Sequence, residues 1–562
     1  MPGTIQSLVQ ARLDLLDPAD KTAVQAASVL GQRFTEGALA HLLGQASGAA
    51  EHLAVHHLVR RTGGETFLFT HALIRDAVYD TLLKSRRREL HRLAADWYAG
   101  RDLVLHAEHL DRAEAAEAAR AYLAAARSQT VEYRQEAALR LVERGIALAK
   151  DRSDVSELTC LKGEIFHDLG AMPDAARAYQ AAFEAAANDT QRCAAWIGGA
   201  AVKRVTDDLP GAFADLEQAE TVAVAQNLVP QQARIRFLRG NLFFPRGDME
   251  GCLREHGAAL KLARQAGEAE IEAMALSGMG DAEYLCGRMI SAQNRFHRCI
   301  ELCVAHGFGR VEVANRPMLA FTHWYKEGPT AAISDADEAI AAAARVGHRR
   351  AEMIGHHAAC FIRIDLLDLE AALCHAEAAL ALSRHLGARR FDAEALALRA
   401  EVRRRAGRRA EALADAREAA RISNETAPSF IGPYALGILA LATEDFSERR
   451  AALDQGEALL DHGAVSHNHL LFRRDALEAS LDAADWDRVE RLASALERYT
   501  HQEPLPWSDF HIRRARALAA RAGVRSEPAW RADMQKLIEE GEHAGFRAAL
   551  ASLEAALGAV RR

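Results

Sequence analysis

From about residue 156 to 500, one spacing recurs along the chain: a small residue, a glycine seven positions later, and a second small residue five beyond that. The clearest copies are LKGEIFHDLGAMPDAARAYQAAFEAA from Leu161, LRGNLFFPRGDMEGCLREHGAAL from Leu238 and LRAEVRRRAGRRAEALADAREAA from Leu398. They set Gly163, Gly240 and Ala400 before Gly170, Gly247 and Gly407, and these before Ala175, Cys252 and Ala412. A fourth copy carries Gly280, Gly287 and Ala292. Two antiparallel helices approach closely only where side chains are small, and glycine supplies the turn between them. The apolar residues in between recur at helical spacing and bury one stripe per helix. Aligning the first small residue of every copy gives Gly163, Gly199, Gly240, Gly280, Ala320, Cys360 and Ala400, at intervals of 36, 41, 40, 40, 40 and 40 residues. A chain of 562 residues is too long for one core, and this period makes it an array of helix pairs.

These copies resemble tetratricopeptide repeats of about 40 residues. The resemblance implies a right-handed α-solenoid with a concave inner face. Composition agrees with an all-α chain: 49% hydrophobic residues, only 6% aromatics and 13 prolines. The frame weakens near 313–345 and after 430, where GPTAAISDADEAIAAA and FSERRAALDQGEALL keep the helix-pair pattern without its small residues. Linking helices and the start of the array are expected over 101–155, including YRQEAALRLVERGIALAKD at 133–151. The repeats proper span 156–505, with capping helices over 506–562.

Residues 1–100 follow another rule. TIQSLVQARLDLL, ADKTAVQAASVLG, TEGALAHLLG and AAEHLAVHHLVRR predict four short helices, with Asp17-Pro18 marking a helix start. RRTGGETFLFT predicts a tight hairpin, and helices over 72–83 and 86–99 follow. Helices plus one hairpin predict a small winged-helix domain.

The order SLVQARLDLLDPADKTAVQAASVLGQRF, then FLFTHALIRDAVYDTLLKSRRRELHRLAADWY, then repeats resembles the C-terminal half of bacterial signal-transduction ATPases with numerous domains, the STAND class. Such ATPases are fused to class III nucleotide cyclases or act as transcription regulators. The resemblance implies that His71, at the end of the FLFT strand, closes over the β-phosphate of ADP when an ATPase domain is present. An imidazole N–H suits a phosphate oxygen, and a swing of the domain would withdraw it. The plainer alternative makes His71 a capping or buried residue. The chain departs from the family in having no G-x-x-x-x-G-K-[ST] phosphate loop, so an ATPase or effector domain is expected upstream or in trans.

Four residues after each small position of the first helix stand His167, Lys203, Phe244, Tyr284, Trp324, Ile364 and Arg404. In tetratricopeptide proteins this part of the helix faces the groove. That similarity makes His167, Lys203, Phe244, Tyr284, Trp324 and Arg404, with their neighbours Asn241, Asp281 and Phe321, the candidate groove for a protein or peptide partner or a small inducer. The competing reading makes the aromatics inter-repeat core.

Other constellations carry less. Cys299, Cys303 and His306 share an i, i+4, i+7 spacing, but Cys299 falls where the repeat wants a small apolar residue, so no metal is expected. Eight cysteines inside helical patterns suit a reducing compartment. The runs SRRREL and RRRAGRR and the pairs His56-His57 and His356-His357 are expected to be solvated or structural. A net charge of −8 argues against nucleic acid. Neither a bilayer-spanning apolar run nor a signal-peptide pattern is present, and a cytoplasmic location is expected. No catalytic constellation and no cofactor motif can be assembled from linear spacing. The expected function is therefore a regulatory sensor that is not itself an enzyme and signals through the winged helix. The alternative is a stand-alone scaffold that recruits a partner constitutively.

Overall fold

A computed structural model describes residues 12–44, 48–132, 134–206, 208–520 and 527–559. The first expected helix, over 4–16, lies largely outside the described residues. The chain divides into two compact units, 1–226 and 227–562, with the division inside the repeats.

The first unit opens with a helix over Pro18–Leu30, started by Asp17, whose side chain accepts from the Asp20 N–H at 2.8 Å while Pro18 holds the first helical position. Helices Glu36–Leu43 and Ala49–Val55 follow. Strands β1 (Arg33–Thr35), β2 (Val59–Gly63) and β3 (Thr66–Phe69) form an antiparallel sheet in the order β1-β3-β2, with β2 and β3 as the expected hairpin. β1 has no sequence signal, because three residues are too few to display an alternating pattern. The helix expected to run on to Arg61 stops at Val55. His57 takes a left-handed φ of 56°, and the chain turns into β2. Phe34, Phe67 and Phe69 join Val24, Leu39 and Leu53 in one buried core. Helices Ala72–Thr81 and Lys84–Tyr98 cover the expected positions. Antiparallel helices then continue from Leu103 to Ala225.

The second unit runs from the helix Val229–Phe243 as successive antiparallel pairs. The small-residue frame has a simple packing logic. A Cβ on Gly163 would lie 2.9 Å from the Tyr179 ring, on Gly240 2.6 Å from His256, and on Gly280 2.6 Å from Phe296. Each partner stands sixteen residues further on, in the second helix of the same pair. At the same offset, Ala320, Cys360 and Ala400 correspond to Ala336, Ala376 and Ala416, all fully buried. A glycine facing a ring has become an alanine or cysteine facing an alanine, so volume is conserved across the contact. Cys360 plays the expected close-packing part, and its thiol donates to the Ala372 carbonyl at 3.2 Å. The turn glycines Gly170, Gly247, Gly287 and Gly407 all have φ between 71° and 77°.

Later helices of the second unit return to its earlier ones. Ser466–Asp482 packs on Ala269–Leu285, Pro506–Ala519 on Gly309–Glu327, and Arg547–Ala559 on Arg349–Asp365. Glu503 ties this return together. Its carboxylate accepts from the Ile290 and Ser291 N–H groups at 2.7 and 3.2 Å and from the Ser291 hydroxyl at 2.5 Å, capping the helix Met289–His306 from far along the chain. Gly328, with φ 93°, is needed because a Cβ there would meet the Ala544 carbonyl oxygen at 2.6 Å.

Candidate ligand-binding cleft in the second unit

The proposed aromatic groove divides once its members are placed. Trp324 is fully buried, its indole N–H donating to Asp365 at 2.9 Å and its ring meeting Trp507 edge-on at 5.9 Å. Phe321 is also buried, 5.9 Å from Phe361. These two are core rather than open groove, because the helix Pro506–Ala519 returns over their face. Arg404 is engaged inside the same unit by the buried Glu401, at 2.7 Å. Phe244 remains 39% exposed at the end of its helix, and Asn241 is half-buried. His167 and Lys203 belong to the first unit. His167 stands 4.0 Å from Asp168, and Lys203 is salt-bridged to Asp215 at 2.7 Å.

Asp281 and Tyr284 keep partial exposure although protein surrounds both, which makes them the candidate lining of a cleft. Counting from the small residue of each first helix, Asp281 stands at +1 and Tyr284 at +4. The same helical face extends backwards through −3 (His357), −6 (Glu394) and −10 (Arg350 and Arg390). The steps of four and three keep all five positions on one stripe. Sequence reasoning followed this stripe only forward and so missed Glu394, His357 and both arginines. Carrying the period back two turns is the signal that finds them. Phe430 and His467, from helices Pro428–Ala442 and Ser466–Asp482, close the cleft. His467 lies 5.9 Å from the Tyr284 ring and 5.3 Å from Phe430. The Arg390 guanidinium lies over Phe430 and Phe391, 5.0 and 4.8 Å from the ring centroids.

Burial pushes the Asp281 carboxyl up to about 7, against the pull of Arg350. It likewise raises Glu394 to about 7, against the pull of Arg390. Asp281 forms no hydrogen bond or salt bridge with any described residue, and Glu394 meets only the His357 Nδ1, at 3.4 Å. Burial lowers His357 to about 3, with His356 adding to the effect, so its imidazole is neutral and brings no compensating charge. Burial, then Glu394 and Asp281, raise the Tyr284 hydroxyl above its ordinary range. The result is two carboxyls that hold their protons well above the ordinary carboxylate range, beside aromatic rings. Such a site suits N–H donors and cations.

His71 stands exposed immediately after β3. It is the N-cap residue of the helix Ala72–Thr81, yet its side chain makes no capping hydrogen bond. Cys299 and Cys303 are buried whereas His306 is exposed and stacks on Phe308, so the three do not converge. The arginines of both basic runs meet carboxylates: Arg86 with Glu89, Arg87 with Asp80, Arg88 with Glu114, Arg403 with Asp415, Arg404 and Arg405 with Glu401, Arg408 with Glu411 and Arg409 with Glu444. No helix among the described residues is long and apolar enough to cross a membrane.

No family model and no curated protein matches the chain. Among solved structures, it is similar to a signal-transduction ATPase with numerous domains that carries a tetratricopeptide-repeat sensor, from Pyrococcus horikoshii. The TM-score is 0.56 at 13% identity, over 82% of this chain and 67% of that one. A Rap protein complexed with Competence and Sporulation Factor matches at TM-score 0.48 and 13% identity, over 62% of this chain and all of its own. The fold is an all-α, tetratricopeptide-like solenoid.

Proposed function

We propose that this chain is a regulatory protein-interaction module whose second unit binds a protein or peptide segment, or a small inducer, in the cleft around Tyr284. The observation that carries the reading is the pair Asp281 and Glu394, two surrounded carboxyls left without ion pairs. Buried carboxylates such as Glu401 and Asp415 are held by Arg404 and Arg399, whereas Asp281 and Glu394 have no such cation against them, an arrangement that favours a ligand with a positive or N–H donor group.

In this reading residues 1–100 act as a winged helix, with boundaries near 100, 155 and 505 for the linking helices, repeats and capping helices. The module acts in the cytoplasm on an ATPase or effector domain supplied upstream or in trans. Exposed His71 is then the group that reaches the nucleotide. The likeness to a sensor-bearing ATPase supports this arrangement at the level of fold. The Glu503 clamp supports the second reading, a scaffold with a fixed inner face, because it locks returning helices onto earlier ones.

A random-peptide display selection on the intact chain, run against Asp281→Asn/Glu394→Gln in parallel, tests the binding reading. Peptides rich in Lys, Arg or a free amino terminus should be enriched on the unmodified chain alone. Identical enrichment on both proteins, or none on the unmodified one, removes the cleft as the binding site.

A further inference from the structure

A second concavity lies away from this cleft, where the helices Ser466–Asp482, Trp486–Thr500, Pro506–Ala519 and Arg547–Ala559 meet. It encloses about 450 Å³, within the usual range for small-molecule sites. Its apolar walls include Leu481, Leu518 and Ala556, and its polar lining is Glu478, Asp482, Arg514 and Ser552. At its mouth the Trp486 indole is 40% exposed, a large aromatic surface left open to solvent.

Among the lining residues themselves, two carboxylates face one guanidinium. Arg514 is buried and fully engaged: it pairs with both oxygens of Glu478, donates to the Ala549 carbonyl at 2.7 Å and reaches the Ser552 hydroxyl at 2.6 Å. Its charge is cancelled by Glu478. Asp482 is left over, with no hydrogen bond or salt bridge to any described residue. It is the last residue of its helix, where the negative end of the helix dipole adds to its own charge. Burial, then Glu478, raise its carboxyl above the ordinary range, against the pull of Arg404, Arg449 and Arg514. A carboxylate that makes no direct hydrogen bond or salt bridge, beside an open indole face, is the combination that attracts a desolvated organic cation. The one guanidinium in the lining, Arg514, is already committed to Glu478 and so is not free for an anion. A metal ion would find one free carboxylate, and no group of three ligating side chains exists among the described residues.

We propose that this cavity binds a small organic cation, an amine or quaternary ammonium with a compact apolar body, with its charge on Asp482 and its face against Trp486. The site is independent of the cleft at Tyr284.

The test is ¹⁹F NMR of the whole chain labelled with 5-fluorotryptophan, the Trp486 resonance being assigned by its loss in Trp486→Phe. The probes are benzylammonium chloride and the neutral benzyl alcohol at matched ionic strength. Benzylammonium should shift the Trp486 resonance saturably, leave the Trp324 and Trp507 resonances in place, and bind at least about tenfold more weakly to Asp482→Asn. An unshifted Trp324 signal in that variant shows that it remains folded. Equal binding of the alcohol, unchanged affinity in Asp482→Asn, or no saturable shift up to the solubility limit overturns the assignment.

Discussion

The rings of Tyr284 and His467 lie 5.9 Å apart, although they belong to helices far separated along the chain. Their meeting closes the second unit on itself. Beside this contact Asp281 and Glu394 are surrounded by protein, yet neither is salt-bridged to an arginine or lysine.

That enclosure sets a pH dependence. Unfolded Asp and Glu lose their protons near pH 4, whereas folded Asp281 and Glu394 lose theirs at about 7. Between these values the native state binds more protons, so their contribution weakens stability as pH rises from about 4 to about 7 and is level above that. Urea midpoints of Asp281→Asn/Glu394→Gln should therefore gain on the unmodified chain as pH rises from 4.5 to 7.5. A constant difference across that range would falsify the pKa assignment.

The frame residues allow a direct packing test. Gly280→Ala places a methyl group 2.6 Å from the Phe296 ring and should cost about 1–3 kcal/mol. Adding Phe296→Leu should recover part of the loss, because it restores volume across the same contact. Chemical denaturation of the two single variants and the double variant gives the coupling; strict additivity would mean that the pair does not touch.

Trp324 and Phe244 occupy equivalent repeat positions and should behave differently. Trp324→Phe strips a buried hydrogen bond from Asp365 and should cost about 1–3 kcal/mol. Phe244→Ala, at a half-open site, should stay within about 0.5 kcal/mol. Thermal unfolding followed by circular dichroism separates the two, and equal losses would count against the burial assigned to Trp324.

Glu503→Ala removes an acceptor shared by two backbone N–H groups and a hydroxyl. The expected cost is about 1–2 kcal/mol, with faster hydrogen exchange concentrated in 506–519 and 289–293. Uniform acceleration over the whole unit would instead mark a general loss of stability.

His71→Ala should leave the unfolding midpoint of this chain unchanged, because the ring is exposed and caps nothing. In a protein that joins this chain to an ATPase domain, the same substitution should weaken ADP retention. A destabilised isolated chain would return His71 to a structural role.

Much of the fold was legible because it repeats. Gly163, Gly240 and Gly280 announce close helix contacts, Gly170 and Gly287 announce turns, and each copy reinforces the others. β1 was not legible, since its three residues pair only with a strand that arrives more than thirty positions later.

For the site, the sequence by itself determined that Asp281, Tyr284 and Trp324 would stand on corresponding faces of their repeats, because a 3.6-residue period fixes direction around a helix axis. It did not determine which part of that face stays open. Tertiary structure decided that, by bringing Trp507 over Trp324 while His467 meets the partly exposed Tyr284 and Glu394 meets only His357. The physical reason is that helical periodicity is local, whereas burial depends on which distant segments return to cover a surface.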